Sequence, residues 1–97
     1  MPTASRQIVV SNKLGLHARP AMQFVDVANE FAAVVSVHKD ATAESEPIDV
    51  DGKSVMQMIT LEASEGTTLH LKADGEDAEA AVEQLAKLVD DKFGEDE

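Results

Sequence analysis

The spacing of apolar residues changes several times along the chain, and each change marks an element. Residues 6–11 (RQIVVS) are a short β-branched run and predict a strand. Between about residues 18 and 30 the spacing widens. Ala21, Phe24, Val25 and Ala28 recur at i, i+3, i+4 and i+7, which is the buried stripe of an amphipathic helix. Pro20 falls in the first turn, where its missing N–H costs nothing. Residues 33–39 (AVVSVHK) predict a second strand. Residues 46–50 (EPIDV) predict a short third one, with Ile48 and Val50 on one face. Pro47 and the flanking acids suit a sheet edge. Residues 54 to about 61 read as a short helix opened by Ser54-Val55-Met56-Gln57, which has the S-x-x-Q form of a capping box. Residues 67–73 (TTLHLKA) alternate strictly, so Leu69 and Leu71 face inward while His70 and Lys72 face outward. Asp77 is the expected N-cap of a last helix over about 78–92, with Ala78, Ala81, Val82, Leu85, Leu88 and Val89 as its stripe.

The resulting order, β-α-β-β-α-β-α, predicts an α+β fold: one four-stranded antiparallel sheet with three helices on a single face. The 97 residues fit one domain, 1–97, with no linker or repeat. Order is expected over about 6–92, with residues 2–5 loose and an acidic tail over 94–97.

Composition narrows the chemistry. There are three Phe and no Tyr or Trp, so the core must be built from aliphatic side chains and Met. The lack of Cys excludes disulfides, thiolate catalysis and Cys-based zinc sites. No stretch is apolar and long enough to span a membrane, and residues 1–6 hold no signal-peptide run, so the cytoplasm is the expected location. A net charge of −11 argues against nucleic-acid binding. The charge is uneven. Residues 1–39 hold four basic side chains (Arg6, Lys13, Arg19, Lys39) against Asp26 and Glu30, whereas residues 40–97 hold four Lys and 17 acids. An anion site belongs in the first third, and the acidic remainder reads as a solubility feature.

That first third contains Asn12-Lys13-Leu14-Gly15-Leu16-His17-Ala18-Arg19-Pro20-Ala21-Met22. A histidine stands where a loop meets a helix. The first-turn N–H groups there lack partners within the helix, and the helix dipole adds partial positive charge. Arg19 supplies a planar donor fork that matches phosphate oxygens. Together these make a phosphate site with a nucleophilic imidazole inside it. The competing reading of His17 is a structural helix cap.

The run Gly15-Leu16-His17-Ala18-Arg19-Pro20-Ala21 resembles the phosphorylation-site motif of the HPr family, the histidine phosphocarriers of the bacterial phosphoenolpyruvate:sugar phosphotransferase system. Gln23-Phe24-Val25, Gly52-Lys53-Ser54, Ala73-Asp74-Gly75-Glu76-Asp77 and the segment 80–88 extend the resemblance over about residues 6–92. It implies an open-faced β-sandwich. It also implies that His17 accepts a phosphoryl group on Nδ1 from phosphorylated enzyme I and passes it to a IIA domain of a sugar permease, with Arg19 stabilising the phosphate. Such a protein is a stoichiometric relay rather than an enzyme, is its own covalent intermediate, and needs no cofactor or metal.

Gly52-Lys53-Ser54 is not a nucleotide-binding P-loop, because that motif needs Gly at position 47, which is Pro. By resemblance Ser54 matches a regulatory serine that a dedicated HPr Ser kinase/phosphorylase modifies in some bacteria, although the capping box explains a serine there equally well. Also by resemblance, Val55, Met56 and Ile59, joined by Met22, form an apolar patch that docks partners, with Met58 and Leu61 in the core. Exposed Met suits a surface that meets several partners. His38 and His70 read as strand-surface residues without metal-like spacing, and the acids at 74–77 as a solvated turn.

The chain departs from sugar-system members, which carry Lys where this sequence has Asp26, Asn29 and Gln57. The connection over 39–53 is several residues longer than usual. Residues 12–22 and the acidic end after Phe93 also resemble the nitrogen-regulatory branch, NPr. Three functions follow as expectations: a carrier feeding sugar transport, a carrier with a regulatory output, and a non-phosphorylated binding module on the same fold. Retention of both His17 and Arg19 weighs against the third. A monomer is expected.

Overall fold

Strict alternation in the fourth strand sets the two faces of the sheet. The computed structural model describes residues 2–94. Strand β1 (Thr3–Val9) and strand β2 (Val34–Lys39) lie antiparallel on either side of β4 (Thr68–Asp74), and β3 (Ile48–Asp51) pairs antiparallel with β2. The order across the sheet is β1-β4-β2-β3, which puts the Pro47-led strand at an edge as its composition requires. The register opposes Ile8 to Leu69, Leu71 to Val37, and Val37 to Val50. All of these are buried, and they form the floor of the core.

Three helices cover that floor: α1 (Ala18–Ala28), α2 (Val55–Ile59) and α3 (Ala78–Asp90). The element order is β-α-β-β-α-β-α followed by a single 3-10 turn at Lys92–Gly94. On α1 the buried residues are Pro20, Ala21, Phe24, Val25 and Ala28, the stripe the spacing predicts. On α3 the stripe holds except that Ala86 is buried and Leu88 only partly so. Phe24, Met58, Leu61 and Leu85 are almost wholly enclosed, each burial contributing about 1.5–3 kcal/mol relative to exposure. The opposite face of the sheet is open, with Gln7, His70, His38 and Asp49 forming one row across it.

Element ends differ from the sequence expectation for identifiable reasons. Strand β1 begins at Thr3 rather than residue 6, because β4 continues to Asp74 and supplies partners down to the Thr3–Asp74 pair. Residues 3–5 are therefore in the sheet, and the Gly75 N–H donates to the Pro2 carbonyl at 2.9 Å. Strand β3 starts after Pro47, which has no N–H for a ladder. Helix α2 is a single short stretch ending at Ile59. Helix α3 ends at Asp90, and Lys92 and Phe93 take positive φ angles of 57° and 56°. The turn drives the Phe93 ring into the core, where it is 4% exposed. Apolar burial there outweighs a backbone preference worth about 1 kcal/mol per residue. The acidic tail expected over 94–97 lies, apart from Gly94, outside the described residues.

Asp77 precedes α3 as expected but does not cap it with its side chain. Its carboxylate accepts from the backbone N–H groups of Ala32 and Ala33, both at 2.8 Å. The bond from Ala32, then that from Ala33, holds the carboxyl below the ordinary 3.8 against an opposing cost of desolvation. Lys53 reaches the same segment, donating through Nζ to the Phe31 carbonyl at 2.7 Å. The turn between α1 and β2 is thus pinned from two sides, and Asp77 is not a merely solvated acid.

Candidate functional site: a histidine at the start of α1

The loop leading to His17 is held by backbone-directed bonds. Asn12 is fully buried, and its Nδ2 donates to the Gly15 carbonyl at 2.7 Å while the Gly15 N–H donates to the Asn12 carbonyl at 3.1 Å. The Leu16 N–H then donates to the Ala63 carbonyl at 2.8 Å, and the Leu16 side chain is buried. Gly15 has φ of +71°, and a Cβ there would sit 2.5 Å from the Ala63 oxygen. Only glycine fits both conditions. Hydrophobic patterning gives Asn12 no role. The available signal was an Asn ending an apolar strand three residues before a Gly, a pattern in which the side-chain amide closes a turn.

His17 occupies the N-cap position with extended backbone (φ −86°, ψ −169°), and its side chain makes no cap hydrogen bond. The ring is half-buried and not used as a cap. Its carbonyl accepts from the Ala21 N–H at 3.0 Å, so the helix starts immediately after it. Pro20 has no N–H. The Ala18 and Arg19 N–H groups therefore remain as the first-turn donors without an acceptor inside the helix. No acidic residue stands in that turn, so the dipole's positive end is not neutralised locally. Arg19 is exposed, and Met22, one turn on, is 53% exposed.

Helix α1 packs against α2. On α2, Met56 is 81% exposed and Ile59 is 42% exposed, whereas Val55 is half-buried against the core. Met58 and Leu61 are core residues, as the pattern predicts. The exposed apolar set also includes Leu14, in the loop before His17. The sequence offered only one hint of it, an apolar residue inside a polar loop.

Ser54 caps α2: its Oγ accepts from the Gln57 N–H at 3.2 Å. The reciprocal half of the expected capping box is redirected. The Ser54 N–H donates to the Asp51 carbonyl, and the Gln57 Oε1 accepts from the Asp51 N–H at 2.9 Å. Gln57 and Asn29 both have structural work. Asn29 Nδ2 donates to the Val25 carbonyl at 3.0 Å, while Asp26 is exposed.

A family model described as PTS HPr component phosphorylation site matches residues 4–91. The chain belongs to the HPr family. It is 41% identical over 91 residues to the phosphocarrier protein HPr of Pseudomonas aeruginosa, covering 94% of this chain and 96% of that one. It is 37% identical over 95 residues to the phosphocarrier protein NPr of Shewanella violacea, covering 98% of each. The crystal structure of HPr-C-His from Thermoanaerobacter tengcongensis superposes with a TM-score of 0.86 at 38% identity, covering 97% of this chain and 99% of that one.

The α+β sheet with three helices is therefore the HPr fold, and the chain is a phosphocarrier-type component of the phosphotransferase system. Its partners are other proteins of that system. In this HPr-family chain the histidine of the Gly15–Ala21 motif lies at the helix start beside Arg19. Among the described residues, no group of His, Asp and Glu is arranged to hold a metal ion, and no helix is long and apolar enough to cross a membrane.

Proposed function

We propose that this chain carries a phosphoryl group on Nδ1 of His17, taking it from phosphorylated enzyme I and giving it to a IIA domain. The observation that carries this reading is the His17 ring at the α1 N-cap, not spent on capping, with Arg19 two residues on. The imidazole nitrogen attacks phosphorus, and the bond from phosphorus to the donor breaks as the new P–N bond forms. The Ala18 and Arg19 N–H groups and the Arg19 guanidinium then face the phosphoryl oxygens. Transfer onward reverses the same steps, so the chain ends each cycle unchanged and acts as a relay rather than an enzyme.

Met22, Met56 and Ile59, with Val55 behind them, supply the apolar contact for both partners, and Leu14 extends it. Ser54 is the candidate second phosphate acceptor, for an HPr Ser kinase. A phosphoryl group on its Oγ would add charge beside that contact. A relay between these partners operates in the cytoplasm.

The test is incubation with phosphoenolpyruvate and an enzyme I shown to be active on another carrier. An acid-labile, base-stable phosphate on His17, located by mass spectrometry and absent from His17→Ala, is expected. No such phosphate on the wild-type chain would overturn the reading.

A further inference from the structure

The open face of the sheet carries a second cluster that phosphoryl transfer does not use. His38 on β2 stands opposite His70 on β4 and opposite Asp49 on β3. The two rings lie 5.8 Å apart between centroids. His38 Nδ1 is 2.9 Å from Asp49 Oδ1, and its Nε2 is 3.1 Å from Asp40 Oδ1. The other Asp40 oxygen, Oδ2, lies 3.0 Å from His70 Nε2. Asp40 is the first residue of the connection between β2 and β3.

Proton counting decides what this geometry requires. An ionised carboxylate only accepts hydrogen bonds, and a neutral imidazole carries one N–H. His38 meets a carboxylate oxygen at both ring nitrogens, so both contacts are hydrogen bonds only when the ring is imidazolium. When it loses a proton, one nitrogen lone pair is left facing a carboxylate oxygen. His70 makes a single such contact, which either charge state can make.

We propose that His38 is a proton-operated clasp, which holds β3 through Asp49 and the first residue of the β2–β3 connection through Asp40 while both ring nitrogens are protonated, and gives up one of these two hydrogen bonds when the ring becomes neutral.

The surroundings agree. On β3 the charged groups on this face are Asp49 and, one row away, Asp51; on β4 they are His70 and, one row away, Lys72; β1 places Gln7 in the same row. The hydrogen bond from Asp49, with that from Asp40 behind it, raises His38 above the ordinary 6.5, against an opposing cost of partial desolvation. Asp40 is correspondingly lowered, mainly by its hydrogen bond to His70. A raised histidine stabilises the fold fully below 6.5, and that contribution is lost as pH rises through the folded-state value. The strand being fastened runs directly into the Asp51 and Ser54 contacts that start α2.

Imidazole 15N spectra and amide exchange of the whole chain, taken across pH 5–9 with and without EDTA, test this. At low pH both His38 ring nitrogens should be protonated, with a midpoint above 6.5 that falls in Asp49→Asn and in Asp40→Asn. Amide protection over residues 40–50, corrected for intrinsic exchange, should drop roughly fivefold as His38 deprotonates, the equivalent of one ordinary hydrogen bond. His38→Gln should remove that pH dependence, and Asp49→Asn should reduce it. A midpoint at or below 6.5, or protection over residues 40–50 that ignores the His38 titration, would overturn the clasp. So would protection that depends on removing metal with EDTA rather than on pH.

Discussion

The Leu16 backbone N–H donates to the Ala63 carbonyl at 2.8 Å, which ties the residue before His17 to the segment that enters β4. His17 thus takes its position from a contact of Leu16 that spans 47 residues of sequence, as well as from its own helix.

Gly15→Ala disturbs that tie. The new Cβ would meet the Ala63 oxygen at 2.5 Å and Ser64 Cα at 2.8 Å, in a backbone conformation with φ of +71°. A loss of about 1–3 kcal/mol is expected in urea unfolding, together with slower phosphoryl transfer. Both effects should appear together, because the same loop sets stability and the position of His17.

Arg19→Ala should separate them. Arg19 is exposed, so stability should change by no more than about 0.5 kcal/mol. Transfer should slow roughly ten- to a hundredfold in both directions, as a charged donor is lost from the phosphoryl oxygens. Arg19→Lys should fall between, since an ammonium keeps the charge but not the planar fork. Rapid-quench kinetics with enzyme I and a IIA domain measure this, and unchanged rates for Arg19→Ala would reject its role.

Ser54→Ala removes the acceptor for the Gln57 N–H and should cost about 1 kcal/mol by thermal or urea unfolding. Ser54→Asp should recover most of that stability, because an aspartate also caps and suits a helix start. It should nevertheless weaken partner binding by placing charge beside Val55 and Met56. Stability and affinity moving in opposite directions would mark Ser54 as both cap and control point.

Asp77 contributes to the acid limb of stability. Its carboxyl is held below 3.8 by the Ala32 and Ala33 N–H groups. The stability it contributes is complete above 3.8 and is lost as pH falls through its folded-state value. Asp77→Asn should be less stable than wild type at pH 7, and the two should converge towards pH 2. Urea midpoints across that range check it; a constant difference at all pH values would remove the carboxylate from the account.

Much of this is legible in the local sequence. The Ala21, Phe24, Val25 and Ala28 stripe, the alternation around Leu69 and Leu71, and the run from Gly15 to Ala21 are local patterns, and each corresponds to a feature of the fold or the family. Asp77 illustrates the limit. An acid before a helix reads as its cap, yet its acceptors are spent on residues 44 and 45 positions away. The start of β1 was hidden for the same reason: Thr3 to Ser5 have little strand pattern of their own, and belong to the sheet because β4 runs far enough to pair with them.

The side chains at His17, Arg19 and Pro20 and the periodicity around them settle the element types and the family, because helix stripes, strand alternation and a phosphate-site motif are encoded within a few neighbouring residues. Register is a property of chains brought together from far apart. It places His38 across from His70 and Asp49, while the packing of loops and helices on the sheet sets Ala63 against Leu16 and turns Phe93 inward while leaving Met56 in solvent. Those outcomes depend on which backbone groups find partners and which apolar surfaces find cover, and neither is written in any single stretch of the chain.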